Sequence, residues 1–415
     1  MIATTPLMSE TNSAADNSYA TLFLGYVNQS LAEALTTVRA VETKLADEER
    51  VQACHVLDYG LRAAESWTGA CALTFALATY MERGGHWDIW QQFLERAIVA
   101  AQERHDIDHE ITLTALLARL YQRRGDAQVM MRHYRQVIRL SRRWGNRFEL
   151  ARACSNLGFH YIFSGHLWRA EMLSLTALSI FNELESAHGR AHTHNHLGIL
   201  FTQKHDWMRA KEHLLSACAI WQTRQDQSGL MRGHSNLGFL YNETDNYDDG
   251  IYHSTIALKL AEILGEEPLI SSFAANLSLA NLKIGNVQKA KEFAVLAEKI
   301  FKKYADRLGL AQIAHTNGLI AIYEKNYVQA QALINYAVDS LTELNKYYFL
   351  FQVKLTKVHL EIQLENYICA KDELAELDTL LMEHFSGNAL QAYNAKLTEK
   401  RRQLELALAD ADETD

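Results

Sequence analysis

Proline is almost missing from this chain of 415 residues, which contains only Pro6 and Pro268, and its 20 glycines are few for its length. A protein built mainly from β-strands needs many turns and places proline and glycine in them. The scarcity of both residues therefore argues against a mostly β protein. It favours long helices joined by short loops, and we predict an all-α fold.

Cysteine is also sparse, with five single residues and no CxxC pair. An odd number of scattered cysteines argues against a disulfide framework and favours small buried hydrophobic residues in a reducing compartment. The first 18 residues lack the basic and apolar segments of a secretory signal. No uncharged apolar run of about 18 residues occurs either. We therefore predict a cytoplasmic protein with no membrane segment.

An excess of positive charge is lacking as well, because 41 basic and 50 acidic residues give a net charge of −9. This balance argues against nucleic acid as a partner of the whole chain. The sequence contains no GxxxxGK[ST], GxSxG, HExxH or GxGxxG motif. We predict no catalytic residues and no cofactor, and hence a protein that is not an enzyme.

What the sequence does contain is a period of forty residues. The recurring element is a leucine followed by a small residue, in Asn156-Leu157-Gly158, His196-Leu197-Gly198, Asn236-Leu237-Gly238 and Asn276-Leu277-Ser278. Another small residue follows twelve positions later, at Ala170, Ala210, Gly250 and Ala290. Turn signals such as Gly165-His166 and His205-Asp206 lie between the two positions. Blocks starting at 71, 111, 151, 191, 231, 271, 311 and 351 predict eight repeats.

Each block has the apolar spacing of two amphipathic helices with a short polar turn between them. Gly158 and Ala170 are small, which predicts that the two helices cross closely there. One such hairpin cannot bury its apolar side alone, so consecutive hairpins are expected to stack into a continuous core.

The Leu-Gly pair, the aromatic residue three positions later (Tyr161, Phe201, Tyr241) and the alanine positions resemble the tetratricopeptide repeat (TPR) family. Among its members, the sensor arrays of bacterial STAND-type regulators have similar forty-residue repeats. The resemblance implies a right-handed α-solenoid of tandem TPR helix hairpins with capping helices. The chain departs from the 34-residue form by what we expect to be a longer second helix and loop. The last two blocks replace Leu-Gly and are expected to be distorted or to act as caps.

The repeats divide the chain into four parts. Residues 1–17 are predicted to be a disordered tail, and 18–70 an N-terminal helical cap or a degenerate repeat. Residues 71–388 hold the eight repeats. Residues 389–415 are predicted to form a C-terminal capping helix with an acidic tail.

In the TPR family the first helix of each hairpin lines a concave groove, so the resemblance also implies which residues face a partner. They are Arg152, Asn156, Phe159, His192, Asn195, His196, Arg232, Asn236, Phe239 and Asn276. Arg152, His192 and Arg232 are expected to form a positive row, while the asparagines can hold a peptide backbone. An extended or helical peptide with acidic groups would fit such a surface.

We therefore predict a non-enzymatic scaffold or regulatory adaptor that binds a protein or peptide in the groove. The alternative is a sensor gated by a ligand or signal peptide, which would control a partner by rearranging the superhelix. Homo-oligomerisation remains open.

Two further clusters of side chains are candidates for binding a ligand. His192 and His196 are one helical turn apart and could hold a metal ion, with His234 or Glu243 as a further ligand. The ligand set is incomplete, so we predict no metal site.

A stripe of arginines lies on one predicted helix and consists of Arg132, Arg135, Arg139 and Arg142. The stripe is a candidate patch for an anionic partner, or simply a solvated surface.

Overall fold

The computed structural model describes residues 10–41, 45–385 and 387–412. These residues form nineteen α-helices and one short 3₁₀ helix, Ala64–Ser66, with no β-strand among them. The α-helices are α1 Glu10–Ala40, α2 Asp47–Gly60, α3 Trp67–Arg83, α4 Trp87–Glu103, α5 Ile107–Arg124, α6 Ala127–Trp144, α7 Arg147–Phe163, α8 Leu167–Glu183, α9 Ala187–Gln203, α10 Trp207–Thr223, α11 Gln227–Glu243, α12 Tyr247–Leu264, α13 Glu267–Lys283, α14 Val287–Lys303, α15 Arg307–Tyr323, α16 Tyr327–Glu343, α17 Tyr347–Gln363, α18 Tyr367–His384 and α19 Gly387–Asp412. The predicted all-α fold of tandem helix hairpins is confirmed.

The helices from α3 to α18 form eight pairs, and their turns repeat every twenty residues. Glycines such as Gly125 and Gly285 have positive φ in these turns, and so do non-glycine residues such as His205 and Lys325. A residue with positive φ stops an α-helix. The next residue is often a side-chain N-cap, as where Asp206 accepts a hydrogen bond from the Arg209 amide. A positive-φ residue thus separates consecutive helices, and a side-chain cap starts several of them.

The helices correct the predicted frame of the repeat. The first helices begin at 67, 107, 147 and every forty residues after that, so each block of the sequence starts four residues inside a helix. From α3 onward both helices of every pair have 17 or 18 residues, and the second helix is not systematically longer. The last two pairs keep these lengths and turns, so the helices there are not distorted.

Small residues lie where the helices of a pair cross, as predicted. A Cβ atom on Gly158 would lie 3.2 Å from the Ala170 carbonyl oxygen and 2.8 Å from Ser174 Oγ. A second close approach joins consecutive pairs, because a Cβ on Gly229 would lie only 2.3 Å from the buried ring of Trp221. Glycine at these two positions is required by space.

The chain divides into two compact units, Met1–Leu157 and Gly158–Asp415, with the boundary inside α7. In the first unit, α1 and α2 pack on α3 and contribute Val27, Leu31 and Leu57 to a core that continues through α3, α4 and α5. The helix α1 begins at Glu10, whereas the sequence predicted a disordered tail to residue 17. Residues 1–9 lie outside the described part of the chain.

In the second unit, the first helices of neighbouring pairs contact one another from α9 to α17. The last helix, α19, packs on α17 and α18 and buries Tyr393, Leu397 and Leu404. The end of the predicted acidic tail, residues 413–415, lies outside the described residues.

The cysteines are single, as the sequence suggested. Cys54, Cys71, Cys154 and Cys218 are buried, and Cys369 is exposed. Burial raises the pKa of the Cys71 thiol to about 12 and that of Cys154 to about 11. No helix in the described residues combines enough length with enough hydropathy to cross a membrane.

Candidate functional site

The first helices of the second unit form a continuous layer, whose accessible surface we call the first-helix face. It is built from the end of α7 and from α9, α11 and α13. Phe159 stacks on His196 with ring centroids 4.4 Å apart, which joins α7 to α9. The Asn236 side-chain amide donates to Asn195 Oδ1 at 2.8 Å, which joins α9 to α11. These contacts join three consecutive first helices into one layer.

The asparagine side chains are less accessible to a bound peptide than the sequence suggested. Asn195 is buried, with 6% of its surface exposed, and its carbonyl oxygen is used by Asn236. Asn236 and Asn276 are half-buried on α11 and α13. Asn195 therefore holds the layer together through Asn236, while Asn236 and Asn276 each keep part of their surface exposed.

The row of positive charges expected from Arg152, His192 and Arg232 is smaller than the sequence predicted. Burial, followed by the effects of His188, Arg232 and His196, lowers the pKa of His192 to about 3, so its ring is neutral at pH 7. Arg232 is exposed on α11. Phe239, two turns further along α11, is half-buried and supplies an apolar surface near it. On the first-helix face the fixed positive charge among the predicted residues is that of Arg232.

Arg152 and Asn156 lie in the first unit. The Arg152 guanidinium forms an ion pair with the buried Glu149 carboxylate, with 2.8 Å between Nη2 and Oε2. Burial raises the pKa of Tyr134 to about 12, against the opposing effects of Arg152 and the Asn156 amide. Both predicted site residues thus have partners within their own unit.

The C-terminal helix α19 borders the first-helix face, which sequence reasoning missed. The Tyr393 ring lies 5.3 Å from that of His205, in the turn after α9, and 6.1 Å from that of Tyr348 on α17. Burial raises the pKa of Glu243 at the end of α11, while the Tyr348 hydroxyl and the Lys396 ammonium of α19 oppose the rise. A helical segment of the chain itself is therefore docked beside the ends of the first helices.

Solved structures with a similar helix arrangement are known. A Rap protein complexed with competence and sporulation factor is 14% identical, with a TM-score of 0.59 over 91% of this chain and 99% of its own. Aspartyl phosphate phosphatase F from Bacillus subtilis is 13% identical, with a TM-score of 0.57 over 91% of this chain and 96% of its own. The apo form of the quorum sensor NprR from B. thuringiensis is 12% identical, with a TM-score of 0.56 over 86% and 99%.

The chain has a TPR-like fold. Identities of 12 to 14% show the fold alone. No protein-family profile matches the sequence. No curated protein matches it either.

The TPR-like repeats also place histidines in pairs that the sequence analysis missed. The Nδ1 atoms of His194 and His213 lie 2.9 Å apart, and those of His234 and His253, forty residues later, lie 2.8 Å apart. Burial is the largest cause that lowers the pKa of His194 and of His234 to about 4, followed by the partner ring. Each pair is therefore neutral at pH 7, with one nitrogen donating to the other. The signal in the sequence was the recurrence of both histidines after forty residues.

The other residues considered with His192 as metal ligands in the sequence have different contacts in the structure. His196 stacks on Phe159, His234 bonds His253, and Glu243 lies near Tyr348. His192 instead meets His188 and Asp226, whose ligand atoms all lie within 4.8 Å of one another.

The arginine stripe lies on α6 of the first unit. All four of its members are exposed: Arg132, Arg135, Arg139 and Arg142. Neighbouring arginines are used internally, since Arg119 and Arg123 both bind the buried Glu82 carboxylate at 2.8 Å. The stripe stays a candidate patch for an anionic partner.

Proposed function

We propose that this chain is a cytoplasmic, non-enzymatic regulatory adaptor that binds a peptide or an extended protein segment on its first-helix face. The observation that carries the proposal is the arrangement on α11. Arg232, Asn236 and Phe239 follow one another at spacings of four and three residues, which places them on one side of the helix. A cation, an amide and an aromatic ring can bind an acidic group, a peptide backbone and an apolar side chain, respectively.

Two further observations support a polypeptide as the ligand. The helix α19 already docks beside the ends of α11 and α13, as the proximity of Lys396 to Glu243 and of Lys400 to Lys283 indicates. Among the structures that share the fold, one is a complex with competence and sporulation factor and another is a quorum sensor. The first name describes a protein in complex with a factor and the second a sensor, and we extend the binding of such a factor to this chain as part of the proposal.

The test uses pools of fluorescein-labelled decapeptides that carry Glu, Gln or Lys at alternate positions. We expect the chain to bind the Glu pool best. Replacing Arg232 and Asn276 by alanine removes one charged and one neutral hydrogen bond, worth about 1.5–3 and about 0.5–1.5 kcal/mol. Affinity should fall very roughly tenfold to a thousandfold, measured by fluorescence polarisation.

The matched control replaces Arg224 and Asn182 by alanine, because these residues are exposed outside the first-helix face. We expect this variant to keep its affinity. Equal losses in both double variants, or no preference for the Glu pool, would contradict the proposed face and its charge. Since one structural neighbour is a phosphatase, hydrolysis of acetyl phosphate is measured in parallel, and turnover would contradict the non-enzymatic part.

A further inference from the structure

Two histidines and an aspartate converge at the start of α9 and the start of α11. His188 and His192 are one turn apart on α9, and their ring centroids are 4.4 Å apart. Asp226 is the N-cap residue of α11, in the turn that follows α10. One ligand atom from each of the three residues lies within 4.8 Å of the other two.

Neighbouring groups hold two of these side chains in place. Asp226 Oδ1 accepts a hydrogen bond from the Gly229 amide at 2.8 Å, which fixes the carboxylate and leaves its second oxygen for another partner. The His192 ring meets the buried Trp221 edge to face at 5.5 Å.

The combination departs from the pattern of the repeat. Forty residues later the same positions hold Ser228, Arg232 and Glu266. Forty residues earlier they hold Phe148, Arg152 and Ser186. An N-cap aspartate alone is explained by helix capping, but two histidines beside it are not.

We propose that His188, His192 and Asp226 bind one divalent transition-metal ion of the zinc class. Two imidazoles and one carboxylate form a ligand set that zinc accepts, at bond lengths of about 2.0–2.2 Å. In a tetrahedral site such bonds bring ligand atoms to roughly 3.4 Å from one another. Rotation of the exposed His188 side chain can close the remaining gap. The fourth position is left for water or for an anionic group.

The ion would have a structural consequence. It joins α9 to the turn before α11, so it clamps two consecutive hairpins and should raise the melting temperature. The Arg232 cation lies close enough to act on His192 and opposes the binding of a second positive charge. The site is therefore expected to be weaker than a buried site with four ligands.

The experiment uses the full chain without a histidine tag, treated with a chelator and then titrated with zinc chloride in a calorimeter. We expect one ion per chain and a higher melting temperature with zinc. His188→Ala and Asp226→Asn should each weaken binding at least about tenfold, because even an outer-shell partner is worth roughly 10- to 100-fold. Asparagine still caps a helix, so Asp226→Asn removes the ligand charge and keeps the fold.

The matched control is His166→Ala, which removes an exposed histidine from the turn before α8. It should keep the zinc affinity of the unaltered chain. The proposal is overturned if the chain binds no zinc, or if zinc binds equally well to the unaltered chain and to both site variants. Circular dichroism of each variant without metal verifies that a lost affinity is not a lost fold.

Discussion

A single side-chain bond illustrates how residues of the first-helix face serve structure and recognition together. The Asn236 amide donates to the oxygen of the buried Asn195. The sequence predicted both as contacts for a peptide, because the TPR resemblance assigns positions to a surface. It could not show which amide is used up within the layer, since that depends on the distance between two neighbouring helices. The resemblance therefore predicts which helix positions face the layer, but not which of their hydrogen-bonding groups stay available.

The first prediction concerns this bond. Asn236→Ala leaves the Asn195 oxygen buried without its donor, and we expect a loss of about 1–3 kcal/mol in unfolding free energy. Asn276→Ala is the comparison, because the hydrogen bond at Asn276 is accepted by its backbone carbonyl, which the substitution keeps. Urea unfolding of both variants measures the difference. Equal stabilities would show that the Asn195–Asn236 bond contributes nothing.

At the scale of the helix, the sequence predicts much of the fold because each element carries its own signals. Turn residues recur every twenty positions and small residues recur where helices cross, so the hairpins could be counted before their packing was known. The exact start of each first helix was missed by four residues, because the Leu-Gly pair that set the frame lies in the middle of the helix and not at its start. The position of α19 was also missed. Its apolar stripe of Tyr393, Leu397 and Leu404 predicts one buried side but not the helices that cover it.

The second prediction tests the packing between pairs. Ala217 on α10 is fully buried and packs in a cluster with Ala191 and Trp221. Ala217→Phe adds a ring where no space exists, and we expect a loss of about 1–3 kcal/mol or more. Ala219→Phe places the same ring on the exposed side of the same helix and should change little. If thermal unfolding does not distinguish the two variants, the assignment of Ala217 to the interior is wrong.

For the whole molecule, the boundary between Leu157 and Gly158 was not predictable. The forty-residue pattern runs through it without a change in composition, because both residues belong to one Leu-Gly pair. The arginines of α5 and α6 in the first unit and the paired histidines of the second give the two units different chemistry. The sequence displayed the arginines directly, whereas the histidine pairs join residues 19 positions apart on two helices and needed the fold.

Histidines with buried rings, two of them members of these pairs, make the stability of the chain depend on pH. Burial lowers the pKa of His192 to about 3 and that of His194, His234 and His315 to about 4, from an ordinary value of about 6.5. The unfolded chain takes up protons on these rings near pH 6.5, and the folded chain does so only near pH 4 or below. The unfolded state therefore binds more protons in between, so folding stability should decrease as the pH falls from about 6.5 to about 4.

The third prediction isolates this effect from the titration of carboxylates, which also weakens folding in acid. The double variant His194→Gln, His234→Gln removes two of the titrating rings. Each glutamine amide can still form a hydrogen bond with the facing imidazole of His213 or His253. The melting temperature of this variant should fall less between pH 7 and pH 4.5 than that of the unaltered chain. The variant His166→Gln, altered at an exposed histidine, should follow the unaltered chain. Three parallel profiles would mean that the paired histidines carry no acid sensitivity, because a group that binds protons equally in both states cannot change stability with pH.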